Sequence, residues 1–184
     1  PCIRLSVLLQ IIMNKLLFFG ATVLLFTACG DKSNTINFNL AYSCSTTITA
    51  SFGSNIPFEV KSSNVVTDIQ TEANINKTEP QLITSVTAIQ LQVLVTSPAG
   101  SNFDYLKDMS LYIEAEGQPK KLIGKLTELT EDGSAIKTLT IENAADLSSY
   151  VQKDAFYTYL EVTPDTYMDK PQIVEIRLTL AVQA

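Results

Sequence analysis

Residues 36–48 read INFNLAYSCSTTI, and the fold follows from where their apolar side chains fall. The even positions are Ile36, Phe38, Leu40, Tyr42, Cys44, Thr46 and Ile48, whereas the odd ones are Asn, Ala, Ser and Thr. Side chains alternate across a strand with period two, so this stretch predicts a β-strand with one buried face. The pattern recurs near the other end of the chain, where Val174, Ile176, Leu178, Leu180 and Val182 mark a strongly alternating last strand.

Working inward, a short strand is expected around Ile56, Phe58 and Val60, another over residues 65–71, and a loop through 77–80. Residues 86–96 predict a strand with Ile89, Leu91, Val93 and Val95 on one face. Leu94 on the other face marks it as central. Ser97-Pro98-Ala99-Gly100 has a type I turn arrangement. Phe103 and Leu106 suggest one helical turn capped by Ser101 or Asn102. Met109, Leu111, Ile113 and Ala115 mark the next strand, closed by Gly117-Gln118-Pro119. Residues 121–129 and 135–142 read as two more strands, joined by a hairpin at Glu131-Asp132-Gly133-Ser134. Asn143 is the expected cap of a short helix whose face holds Leu147, Tyr150 and Val151. Phe156, Thr158, Leu160 and Val162 form the penultimate strand. About eight strands with one or two helical turns predict a single all-β domain over residues 36–184. It is a β-sandwich of immunoglobulin-like or jelly-roll-like kind, with a barrel as the alternative.

The N-terminal part has a different character. Met13-Asn14-Lys15 opens a short positive segment, and residues 16–28 (LLFFGATVLLFTA) form an apolar run of signal-peptide length, too short to span a bilayer as a helix. The run ends in Leu25-Phe26-Thr27-Ala28-Cys29-Gly30, which resembles the lipobox of bacterial lipoproteins. That resemblance implies cleavage of residues 13–28 before Cys29, lipidation of the Cys29 thiol and a tether over 29–35. Residues 1–12 lack an initiating Met and read as upstream, non-native sequence. The address implied is a lipid anchor at the bacterial outer membrane or cell surface, with the periplasmic face as the alternative.

Composition narrows the chemistry. The chain carries 13 Lys and Arg against 19 Asp and Glu, for a net charge of −6, and contains neither histidine nor tryptophan. Without histidine the commonest general base and the commonest zinc ligand are both missing. An acidic chain with no basic stripe is a poor match for nucleic acid. No cofactor and no metal are expected.

The segments TSPAGSNFDYLKDMSLYIEAEG (96–117) and DLSSYVQKDAFYTYLEV (146–162) follow the lipobox and precede the final apolar strand. In this order they resemble small all-β lipoproteins of the Bacteroidota. The resemblance implies fold and address, and transfers no functional residue.

Few residues invite a functional reading. Cys44 reads as a small core residue, with a reactive or pairing thiol as the alternative. Glu114 and Glu116 read as a solvated strand face, since the carboxylates of a glycoside hydrolase flank the substrate from different elements. The 131–134 loop reads as a turn, with too few carboxylates for a calcium loop. Tyr157 and Tyr159 point away from the core face, as does Tyr112 on its own strand. Outward rings stack on sugars, anchor a protein partner, or pack beneath a loop. The expected function is a non-enzymatic binding or assembly module of the cell envelope. A carbohydrate-binding module and a carboxylate hydrolase are the alternatives.

The lipobox reading has a direct check. Membrane-expressed protein should carry an acyl-sized added mass that the Cys29→Ala variant lacks, and an unmodified wild type in intact-mass analysis would refute it.

Overall fold

In the computed structural model, which describes residues 35–49, 55–142, 146–168 and 170–184, the alternating segments become antiparallel strands. In chain order these are β1 (Asn37–Ile48), β2 (Phe58–Lys61), β3 (Val65–Val66), β4 (Ser85–Ser97), β5 (Leu106–Ala115), β6 (Gln118–Leu126), β7 (Ile136–Thr138), β8 (Thr140–Ile141), β9 (Ala155–Pro164) and β10 (Gln172–Gln183). Two helices, α1 (Ile69–Ile75) and α2 (Ser148–Val151), and a 3-10 turn (Pro80–Leu82) lie in the connections.

One sheet runs β1-β10-β4-β7; the larger runs β2-β9-β5-β6-β8, with β3 also beside β9. The fold is an all-β sandwich. Both alternating segments behave as their pattern requires. Leu40, Tyr42, Cys44, Thr46 and Ile48 of β1 are buried, as are Val174, Ile176, Leu178, Leu180 and Val182 of β10. They meet Leu111, Ile113, Phe156, Leu160 and Val162 of the other sheet in one continuous core. Each fully buried aliphatic or aromatic side chain of this kind is worth about 1.5–3 kcal/mol.

A polar seam crosses the core at one end. Thr158 is fully buried, its N–H donates to Ser62 Oγ at 3.0 Å, and its hydroxyl lies 3.2 Å from Cys44 Sγ. Ser63 N–H donates to Ser45 O at 3.0 Å, and the Thr46 hydroxyl donates to Lys61 O at 2.8 Å. The chain leaving β2 thereby ties the two sheets together.

Several local expectations are corrected. Residues 65–71 do not form a strand: pairing stops after Val66, and α1 follows with Ile69 and Ala73 buried four residues apart. Ile89 is 48% exposed, because a bulge opposite Thr179/Leu180 shifts the register and brings Val86 inward instead. The turn after β4 spans Pro98 to Ser101, whose N–H donates to Pro98 O at 3.2 Å, rather than residues 97–100. The turn expected at Phe103 and Leu106 is present as one hydrogen-bonded turn and not as helix: Leu106 N–H donates to Phe103 O at 2.9 Å. Asn102 Oδ1 accepts the Asp104 N–H at 3.1 Å, and Phe103 is fully buried from a loop. Asp132-Gly133 makes no hairpin: β6 and β7 belong to different sheets, so the loop is a crossover. Residues 135–142 divide at Leu139 into β7 and β8, one on each sheet. The helical turn at α2 is present; Asp146 accepts the Ser148 N–H at 2.9 Å, while Asn143 lies outside the described residues.

At Gly124 the two sheets approach closely. A Cβ there would lie 2.5 Å from Leu91 Cδ1 and 3.2 Å from the backbone oxygen of Thr140. Leu91 is itself fully buried and has little room to yield. Gly124→Ala is therefore expected to cost about 1–3 kcal/mol in denaturant unfolding. An unchanged midpoint would show that the layers can separate freely at this point.

Candidate functional site

Alternation along β9 turns Phe156, Thr158, Leu160 and Val162 inward, so Tyr157, Tyr159 and Glu161 necessarily face outward. On β5 the same rule turns Tyr112 and Glu114 outward. The antiparallel register then places Tyr112 opposite Tyr159, and Glu114 opposite Tyr157. Three half-buried tyrosines from two strands that are distant in sequence become a single face in the middle of the larger sheet.

Charged side chains from the flanking strands complete this face. Lys61 on β2 lies opposite Tyr159, with its ammonium 3.6 Å from the Tyr157 ring centroid and 5.3 Å from that of Tyr159. Lys120 on β6 comes 4.7 Å from the Tyr112 ring and 5.0 Å from the Tyr159 ring. Both separations are within the range of cation–π attraction. Lys120 also pairs with Glu59 on β2, so this ion pair passes over the two strands that carry the tyrosines. The Tyr159 hydroxyl donates to the Glu114 carboxylate.

These contacts shape the ionisation of the face. The hydrogen bond to Glu114 holds the Tyr159 hydroxyl above its ordinary pKa, and desolvation adds to the effect. Tyr112 is raised chiefly by desolvation and then by the charge of Glu161. Lys61 is raised by its interaction with the Tyr159 hydroxyl, and Lys120 by its bond to Glu59. The face thus brings phenol, ammonium and carboxyl groups close together. Beside Tyr157 lies a depression of about 390 Å³, bordered by Glu116, Gln152, Lys153, Asp154 and Ala155.

The expected site residues separate clearly. Tyr112, Tyr157 and Tyr159 are brought together, whereas Cys29 lies outside the described residues. Cys44 is a core residue: it is 6% exposed, and burial pushes its thiol up, opposite to what a nucleophile needs. Glu114 is engaged by Tyr159. Glu116 sits in the turn after β5 rather than on the strand, so the two carboxylates do not share a strand face. In the 131–134 loop, Asp132 accepts from the buried Lys137 ammonium at 2.7 Å, which accounts for that carboxylate structurally. Lys61, Lys120, Glu59 and Glu161 carry no signal in the sequence, because only the strand order brings them to the tyrosines.

Neither a protein-family model nor a curated protein matches the sequence. Among solved structures the chain is similar to AlgX of Pseudomonas aeruginosa, at 14% identity over 74% of this chain and 25% of that one, with a TM-score of 0.31. The chain thus spans about a quarter of AlgX. It is also similar to FlhE, at 10% identity over 77% of this chain and 96% of that one (TM-score 0.28). A carbohydrate-binding module of the β-sandwich superfamily is similar at 9% identity over 80% and 54% of the two chains (TM-score 0.26). Overlaps this loose assign no ligand and no activity.

The link between Glu114 and Tyr159 is measurable by titration. Tyr159 should ionise above the usual tyrosine value of about 10. Glu114→Ala should bring that transition down in a 295 nm absorbance titration, and a curve identical to wild type would show that the hydrogen bond is not formed in solution.

Proposed function

We propose that this protein is a non-enzymatic module of the bacterial cell envelope, anchored through lipid on Cys29 at the outer membrane or cell surface. Its partner in this reading is another protein, bound on the Tyr112, Tyr157 and Tyr159 face. The lipobox-like sequence supports the address, and the resemblance to small lipoproteins of the Bacteroidota agrees with it. One observation supports the binding face above all: three outward tyrosines converge on adjacent strands, framed by lysines and carboxylates. Tyrosine is enriched where protein interfaces concentrate their binding energy, since a rigid ring covers a large area at low entropic cost.

The same contacts favour a protein over a sugar. A stacking platform offers a bare ring, whereas the Tyr157 ring already has an ammonium 3.6 Å from its centre. A protein partner with its own charged side chains can exchange places with Lys61 and Lys120 without leaving them unpaired.

The test is a Tyr157→Ala/Tyr159→Ala double variant. Affinity-purified wild type from solubilised envelopes should retain a partner that the double variant binds at least roughly tenfold more weakly, with the melting temperature nearly unchanged. A specific signal on a glycan array, lost in the same variant, would instead assign the face to carbohydrate. A large drop in melting temperature would show that the two rings serve stability.

A further inference from the structure

Four strands end the two sheets, and three of them are short. β7 has three residues, β8 has two, and β2 has four, with the two residues of β3 continuing the same edge. The fourth is β1, with twelve residues in unbroken register against β10. Exposed strand edges are normally protected by shortness, charge, proline or a bulge. β1 has no charged residue, no proline and no register shift.

The hydrogen-bonding direction along β1 can be assigned residue by residue. Ile36 and Ala184 exchange both backbone hydrogen bonds, at 2.8 and 2.9 Å. In an antiparallel ladder such pairs recur at every second residue, so the even positions of β1 bond to β10. The odd positions, Asn37, Asn39, Ala41, Ser43, Ser45 and Thr47, point their N–H and C=O groups away from the sheet. Ser45 confirms the assignment, because its oxygen accepts from Ser63. That contact and the Thr46 bond to Lys61 close the C-terminal half of the edge. Among the described residues nothing pairs with the outward groups of Asn37, Asn39, Ala41 and Ser43.

We propose that this open half-edge pairs antiparallel with the same strand of a second copy of the chain, joining the two smaller sheets across a twofold axis. Charge and self-complementarity select a second copy as the occupant. The chain is acidic overall, and residues 36–48 form a neutral strip along which two copies can approach without repulsion. A twofold at Leu40 sets Asn37 opposite Ser43 and Asn39 opposite Ala41, giving about eight backbone hydrogen bonds with small neutral side chains in register. Phe38, half-buried at the rim of the core, then comes opposite the partner's Tyr42. This surface is on the other sheet from the tyrosine face and does not rest on the proposed binding role.

Because the Ala41 N–H points outward, proline at that position removes a donor without breaking the ladder to β10, as tolerated on sheet edges. The test is sedimentation of the full chain in detergent over a roughly hundredfold concentration range. Wild type should shift from one to two protomer masses with rising concentration. Ala41→Pro and, separately, Asn39→Lys should remain at one, with melting temperatures close to wild type, and the Tyr157→Ala/Tyr159→Ala variant should still dimerise. A wild type that stays monomeric overturns the proposal, even if the edge then accepts a strand from another protein. A dimer that survives both edge variants overturns it equally.

Discussion

All twelve residues of β1 and most of β4 are in register with β10, one strand on each side. The smaller sheet therefore exists only because the last segment of the chain lies between the first strand and the fourth. Its inward residues at alternate positions from Val174 to Val182 are almost completely buried and supply the floor on which the larger sheet packs. The close approach at Gly124 and the seam of Cys44, Thr158 and Ser62 fix the spacing of the two layers from opposite directions. One forbids a side chain, whereas the other supplies hydrogen bonds to groups that would be costly to bury alone.

The tyrosine face is a by-product of the same arrangement. Once β9 and β5 present their apolar residues to β10 and β1, strand geometry allows no other direction for Tyr157, Tyr159 and Tyr112. What makes the face particular is its frame. Lys61 and Lys120 arrive from two further strands, and the Lys120–Glu59 pair bridges them above the rings. Lys120 is ion-paired with Glu59 and both ammonium groups lie against tyrosine rings, so contacts within the sheet hold the frame in place. Preorganisation of this kind lowers the entropic cost of binding.

How far the residues alone foretell this differs from place to place, for physical reasons. β1 and β10 are legible because a face buried along its whole length enforces strict alternation. Ile89 is not, because one extra residue in a bulge reverses the side chains around it and leaves composition unchanged. α1 is hidden by β-branched Ile69 and Thr71, whose strand preference is overridden by burial of Ile69 and Ala73 on one helical face. Residues 135–142 carry a single uninterrupted pattern, and only the change of sheet at Leu139 divides it. At the candidate site the outward tyrosines can be read from parity, whereas their lysine neighbours depend on strand order, which parity does not encode.

The pairing of β1 with β10 also governs when the domain can form. Asn37 lies opposite Gln183 in the register, so β1 waits for the last of the described strands. Contacts separated by nearly the whole chain form slowly, after the entropy of closing that loop is overcome. Until β10 has been made, β1 and β4 have no strand between them and the smaller sheet cannot close. The strand order thus makes β10 the piece that completes the smaller sheet, after β1 and β4 have already been made.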